Sequence, residues 1–294
     1  MAEQYIRRSM GDRKDGHRLR TVSPSFLLTP FMMRDPSDAV NSFTDHADTD
    51  AMERWVRLRR SEGNDGISIL HVFIAAYVRT LALRPAMNRF VAGRHIFARN
   101  SIDVVLSAGR SGAADAGALA VKVRFKPTDT VYDVIRRINS KMNSLQADED
   151  SDRYKKLAAI LVKTPRFVVR AGMAVIRWLD NHGWLGQEAL DRSPFHGSVV
   201  ISEEGSYSLP PLERSLNSMG ALPVSLSIGR RRTAVELDRE GRLMERKYVD
   251  YTVSFDSRIA DSSYVGSAFK YFRYYLDNPN ELEKVPERVN EDAL

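Results

Sequence analysis

The chain has 294 residues, a formal net charge of +6 and a sequence pI of about 9.5. Its 43% hydrophobic content is enough to bury a full core in one large domain or two small ones. The absence of cysteine excludes disulfides, thiolate catalysis and cysteine-ligated metal, and no run approaches the roughly eighteen apolar residues of a membrane span. Met1–Arg8 has no apolar core of the kind a secretory signal needs, so a cytoplasmic setting is expected. The basic excess favours anionic partners without choosing among them.

Residues 1–25 form a basic arm (Arg7, Arg8, Arg13, Lys14, Arg18, Arg20), read as either solvated or laid on a neighbouring subunit. Asp12 and Asp15 interrupt the basic residues and no aromatic platform accompanies them, so nucleic acid is not expected as a partner. A helix is predicted over 51–62, with Thr49 or Asp50 as its cap and Met52, Trp55 and Val56 on one face. A second, over 68–82, is apolar on most sides and therefore buried, with His71 as a core residue. A hairpin is expected from 90–97 and 102–106 about Ala98–Ser101, followed by a half-buried strand through Leu119, Val121, Val123 and Phe125. The glycines of 109–117 lack phosphate-loop spacing. Thr128–Thr130 caps a helix with Val131, Val134, Ile138 and Met142 on its apolar face, and an acidic loop follows over 146–152.

From Arg153 to Leu179 there are seven basic residues and no acidic one. Thr164-Pro165 is a helix start, after which Arg166, Arg170 and Arg177 fall within about 40° of each other on the helical wheel. Three readings stand for the basic amphipathic segment 153–185. It is a core-packed helical hairpin with a basic solvent face, a lid over an acyl channel, or an interfacial helix that touches anionic lipid as a peripheral membrane contact. A strand is expected at Val199–Ser202, then a further strand near Ala221–Gly229, and strands at 232–237 and 247–255 paired across Asp238–Gly241. In the last of these, Val249, Tyr251, Val253 and Phe255 alternate with Tyr248, Asp250, Thr252 and Ser254. A closing helix carries Tyr264, Val265, Ala268, Phe269, Phe272 and Leu276, stops at Asn278-Pro279, and leaves an acidic tail over 284–294.

Three stretches carry a resemblance. Asp256-Ser257-Arg258-Ile259-Ala260-Asp261-Ser262 resembles the Asp-His-Arg-x-x-Asp-Gly signature of the dihydrolipoyl acyltransferases of 2-oxoacid dehydrogenase complexes and of the related chloramphenicol acetyltransferases. Both aspartates and the arginine match, while Ser257 stands in place of the histidine and Ser262 in place of the glycine. Arg84-Pro85-Ala86-Met87-Asn88 is similar to the family's segment after its long helix, and Pro194–Gly205 to its Gly-x-Thr-Ile-Ser-Asn-Leu-Gly strand and turn, with Ser202 at the matching serine. The resemblance covers most of residues 5–283. It implies an α/β, chloramphenicol acetyltransferase-like two-layer sandwich over 26–283, with a mixed sheet flanked by helices, assembled as a homotrimer with sites between subunits. No lipoyl or peripheral-subunit-binding motif is found, so a free acyl-coenzyme A thioester is the implied substrate, and no resident cofactor is implied.

By the same resemblance Ser202 donates to the oxyanion, Asp261 holds the site loop through an ionic contact, and position 257 would carry the general base. Ser257 cannot fill that role, since a hydroxyl does not take up a proton near pH 7. His196, six residues before Ser202, lies at the far end of the same strand, about 20 Å away. A neighbouring subunit's His17, His46 or His95 stays open as a substitute. No two histidines stand at metal-ligand spacing. Two classes of function remain: a coenzyme A-dependent acyltransferase weakened by loss of its base, or a non-catalytic trimeric scaffold or binding protein of the same fold.

Overall fold

The computed structural model describes residues 9–64, 66–109, 118–147, 164–217, 220–237 and 240–292. The start of the basic arm, the glycine loop at 110–117, the acidic loop from 148 and the first part of the basic segment, 153–163, lie outside the described residues.

Alternating apolar residues build the main sheet. β2 (Val40–Asp48), β5 (Ile102–Gly109), β6 (Ala118–Phe125), β7 (Val199–Glu203), β8 (Val224–Leu237) and β9 (Leu243–Asp256) form a six-stranded mixed sheet in the order β2-β9-β8-β7-β5-β6. β7 runs parallel to β5 and β8, and the other neighbours pair antiparallel. β8 runs unbroken from the 224–229 stretch into 232–237, with a register irregularity between Ile228 and Arg231. Two strands expected from the sequence are thus one bent ribbon.

One face of this sheet, carrying Leu106, Ile201, Leu226, Tyr251 and Val253, belongs to the main core. The helices that close it are α3 (Asp50–Ser61), α4 (Ile69–Leu83), α5 (Val131–Ala147) and α8 (Ser262–Asp277). α4 is apolar on nearly every side because it lies between the sheet and its neighbouring helices. Phe73 packs edge-on against Tyr251 of β9 and Phe272 of α8, each with ring centroids 5.8 Å apart. Ser68 and His71 form a capping box at its start: Ser68 N donates to His71 Nδ1 at 3.2 Å, and burial pushes the imidazole down to about pKa 4.

A second sheet has the order β1-β4-β3, from β1 (Gly16–Arg18), β3 (Arg89–Ala92) and β4 (His95–Arg99). The expected hairpin about Ala98–Ser101 is replaced by a tighter one at Gly93-Arg94. Both residues have positive φ, 53° and 65°, the backbone that a two-residue turn between twisted strands requires. β5 then belongs to the large sheet. Short helices α1 (Pro24–Leu27) and α2 (Thr29–Met32) precede β2. α6 (Arg166–Asn181) and α7 (Gln187–Arg192) lead into β7.

The C-terminal tail is docked. Asn290 N donates to Ala82 O at 2.8 Å and its Nδ2 to Leu83 O at 2.7 Å, while Arg89 Nε meets Asp292 Oδ2 at 2.7 Å.

Candidate active site

Strand register places Ser202 in a row of hydroxyls. Ser107 of β5 pairs with Ser202 of β7, Ser202 with Ser227 of β8, Ser227 with Thr252 of β9, and Thr252 with Thr44 of β2. Partners directly opposite share a face, so these five side chains cross the sheet on the side away from the helical core. Thr44 Oγ1 and Thr252 Oγ1 are 2.7 Å apart, and Ser227 Oγ accepts from Leu212 N at 2.9 Å. That bond lays residues 209–212 over β8, where Pro211 abuts Gly229 so closely that a Cβ there would strike the proline ring. Ser202 is 2% exposed, and its Oγ has no hydrogen-bond partner among the described residues. A buried hydroxyl normally finds a partner in protein or ordered water.

The 256–261 turn at the end of β9 is built around Asp256 and Arg258. Arg258 Nε lies 2.9 Å from Asp256 Oδ1, Nη2 lies 2.6 Å from Oδ2, and Nη1 donates to Met33 O and Arg34 O, both at 3.1 Å. Ser257 N donates to Ala39 O at 2.8 Å, which ties the turn to the chain before β2. Ser257 Oγ has Met33 Sδ at 3.8 Å, a weak acceptor that does nothing to make the hydroxyl basic. Asp261 has a different job from the ionic contact implied by the resemblance. It caps α8, accepting from Tyr264 N at 2.7 Å and Ser263 Oγ at 2.8 Å. Those donors, Tyr264 N–H first, hold its carboxyl below the usual carboxylate range. The ionic contact that holds the turn is instead Asp256–Arg258.

Ser202 and Ser257 do not meet within one chain. Thr252 is level with Ser202 across the sheet. Ser257 lies five residues beyond Thr252, about 17 Å along the strand direction and about 10 Å sideways.

The sequence matches no protein-family profile and no curated protein. Solved structures do match, over nearly the whole chain. A probable dihydrolipoamide acetyltransferase from Listeria monocytogenes aligns at TM-score 0.55 with 12% identity, over 94% of this chain and 99% of that one. The fold is that of an acetyltransferase core. The cubic core of a pyruvate dehydrogenase multienzyme complex aligns at TM-score 0.52 with 12% identity over 88% of each chain. Azotobacter vinelandii dihydrolipoamide acetyltransferase aligns at 0.51 with 12% identity over 83% of each, and a serine, a histidine and an asparagine were investigated for roles in that enzyme's catalytic mechanism. At such identities the likeness is one of fold.

The same fold also holds a buried charge cluster that spacing alone does not reveal. Arg13 Nε pairs with Asp15 Oδ1 at 2.9 Å and Arg13 Nη2 with Asp180 Oδ1 at 2.7 Å, and a second Arg13 bond reaches the Asp180 carbonyl. Arg99 Nη1 stands 3.5 Å from Asp15. His196 is in this cluster, in the turn before β7 and not on the strand itself. Its Nδ1 lies 2.8 Å from Ser193 Oγ, and its Nε2 lies 3.1 Å from Asp180 Oδ1. Burial opposes ionisation of Asp180, yet His196 and Arg13 together hold its carboxyl below the ordinary range. The serine–imidazole–carboxylate order has the composition of a nucleophilic triad. Here Asp180 is also shared with Arg13, and Ser193 Oγ accepts Phe195 N at 3.2 Å within its own turn. His17, His196, Arg99 and Lys122 border a cavity of about 1200 Å³ beside this cluster. Burial pulls the Lys122 ammonium below its usual range even though Asp103 lies nearby.

Proposed function

We propose that this chain handles an acyl-coenzyme A thioester as an acyltransferase-family protein in a cytoplasmic homotrimer. Ser202 of one protomer and the 257–261 turn of the next line a shared site. The observation that carries the reading is the buried, unpartnered hydroxyl of Ser202, on a strand of an acetyltransferase-core fold. Attack of a thiol or hydroxyl on the thioester carbonyl turns the carbonyl oxygen into an oxyanion, and a fixed hydroxyl there donates to it without reorganising. The wide separation of Ser202 and Ser257 within one chain supports a site completed by a neighbour, and the cubic core among the structural neighbours supports assembly. Ser257 cannot take the acceptor's proton. Loss of a positioned base costs about 100- to 10,000-fold, so transfer is slow unless the acceptor arrives ionised.

The second reading, a non-catalytic trimeric scaffold or binding protein, is favoured by Ser257 itself, whose hydroxyl has a thioether as its partner among the described residues. Acetyl-coenzyme A turnover by wild type, Ser202→Ala and Ser257→His separates the two. On the catalytic reading Ser202→Ala loses about 100- to 1,000-fold in turnover. Its stability stays within about 1 kcal/mol of wild type, because the deleted hydroxyl has no partner among the described residues. Ser257→His gains transfer. Turnover indifferent to Ser202→Ala, together with an inert Ser257→His, decides for the scaffold.

A further inference from the structure

α6 is an amphipathic helix whose apolar face no described element covers. Its far end is bolted to the body. Asp180 is buried against Arg13 and His196, and the Asn181 carbonyl sits so close to Gly93 that a Cβ at that turn would collide with it. The helix, about 24 Å long including its anchored end, extends from that anchor. Phe167 is 74% exposed, Val175 55%, and Trp184, just past the helix end, 63%; Val168, Ile176 and Trp178 are exposed as well. The first half of the expected core-packed hairpin lies outside the described residues; helical periodicity put the apolar residues of its second half on one broad face, and no described element covers that face. Arg166, Arg170 and Arg177 run down one flank, all exposed, and no acidic residue occurs from Arg166 to Leu179. Asp180, the first acid, is buried and paired.

We propose that α6 docks this protein on an anionic lipid surface, lying in the plane of the headgroups with its apolar face in the acyl boundary. Charge argues for lipid: anionic headgroups neutralise an arginine flank that carries no intervening acid. Trp178 and Trp184 stack edge to face at 5.1 Å at the anchored end, and indoles favour the boundary between headgroup and hydrocarbon. No helix among the described residues is long and apolar enough to cross a membrane, so the contact is interfacial. Anchoring at Asp180 and Gly93 holds the helix rigidly to the body and sets the tilt of the whole protomer on the surface.

The test is flotation of the full chain with phosphatidylcholine vesicles, with and without phosphatidylglycerol, combined with tryptophan emission. Of the three tryptophans, Trp55 is buried in the core and Trp178 and Trp184 are exposed, so a blue shift on adding vesicles reports this helix. The full chain should float with phosphatidylglycerol vesicles and not with phosphatidylcholine alone. Arg166→Gln/Arg170→Gln/Arg177→Gln should weaken partitioning on the order of a hundredfold. Phe167→Asp/Val175→Asp should abolish it, with circular dichroism and the unfolding midpoint unchanged in both variants. No flotation, or equal flotation on the neutral vesicles, overturns the proposal. So does tryptophan emission already blue-shifted and protected from quencher without vesicles, which would mean that another segment of this chain covers the face. Variants that change the oligomeric mass in the absence of any vesicle binding would assign the face to a second copy and overturn it equally.

Discussion

Replacing Arg258 with alanine should be among the most damaging single changes in the molecule. Arg258 is 3% exposed and Asp256 4%. The guanidinium makes two close contacts with the Asp256 carboxylate and also serves two carbonyls of the segment before β2. Removing it strands a buried carboxylate and leaves Met33 O and Arg34 O without their donor. Breaking a buried pair by deleting one partner costs about 3–5 kcal/mol. Arg258→Lys should recover only part of this, because one ammonium cannot span a carboxylate and two carbonyls at fixed angles. The measurement is urea denaturation at fixed protein concentration for wild type, Arg258→Ala, Asp256→Ala and the double variant. The double variant should cost at least about 2 kcal/mol less than the two singles together, the sign of a pair that acts as a unit. An Arg258→Ala protein within about 1 kcal/mol of wild type would refute the view that this pair holds the turn.

Two further outcomes concern the ends of helices. The His71 imidazole is held neutral, its pKa down to about 4, first by burial and then by the nearby Arg60 charge. Its folded value lies below the ordinary 6.5, so the unfolded chain takes up the proton first. Stability is full above about pH 6.5 and falls by on the order of 3 kcal/mol as pH drops towards 4. His71→Gln keeps a capping-box partner for Ser68 and should flatten that slope in a pH series of denaturant midpoints; an unchanged slope would acquit the histidine. Asp261→Ala should cost about 1 kcal/mol through loss of the α8 cap, and Asp261→Asn much less, both read from thermal unfolding. A large loss in the asparagine variant would point to a charge role in place of capping.

Much of the architecture was legible in residue order, and the reasons are physical. Val249, Tyr251, Val253 and Phe255 alternate because β9 buries one face, and the same alternation put Thr252 and Ser254 on the other. α4 read as buried because nothing on it needed water apart from residues such as His71 and Arg79, which find partners. The signature at 256–261 located the turn, but not the duties of its residues. Whether an aspartate pairs with an arginine or caps a helix depends on where the backbone N–H groups point. The Arg13–Asp180 pair joins residues 167 apart, beyond any local rule. The exposure of α6 was illegible for a related reason: periodicity says which residues share a face and is silent about what covers it.

The docked tail has a practical consequence. Arg89, which grips Asp292, also reaches the Ile259 carbonyl at 3.4 Å, inside the turn after β9. Residues 290–292 and the loop bearing position 257 are therefore two hands on one lever. An affinity handle fused behind Asp292, or a trimmed terminus, pulls on that lever. Preparations meant to report on Ser257 are better purified from the other end.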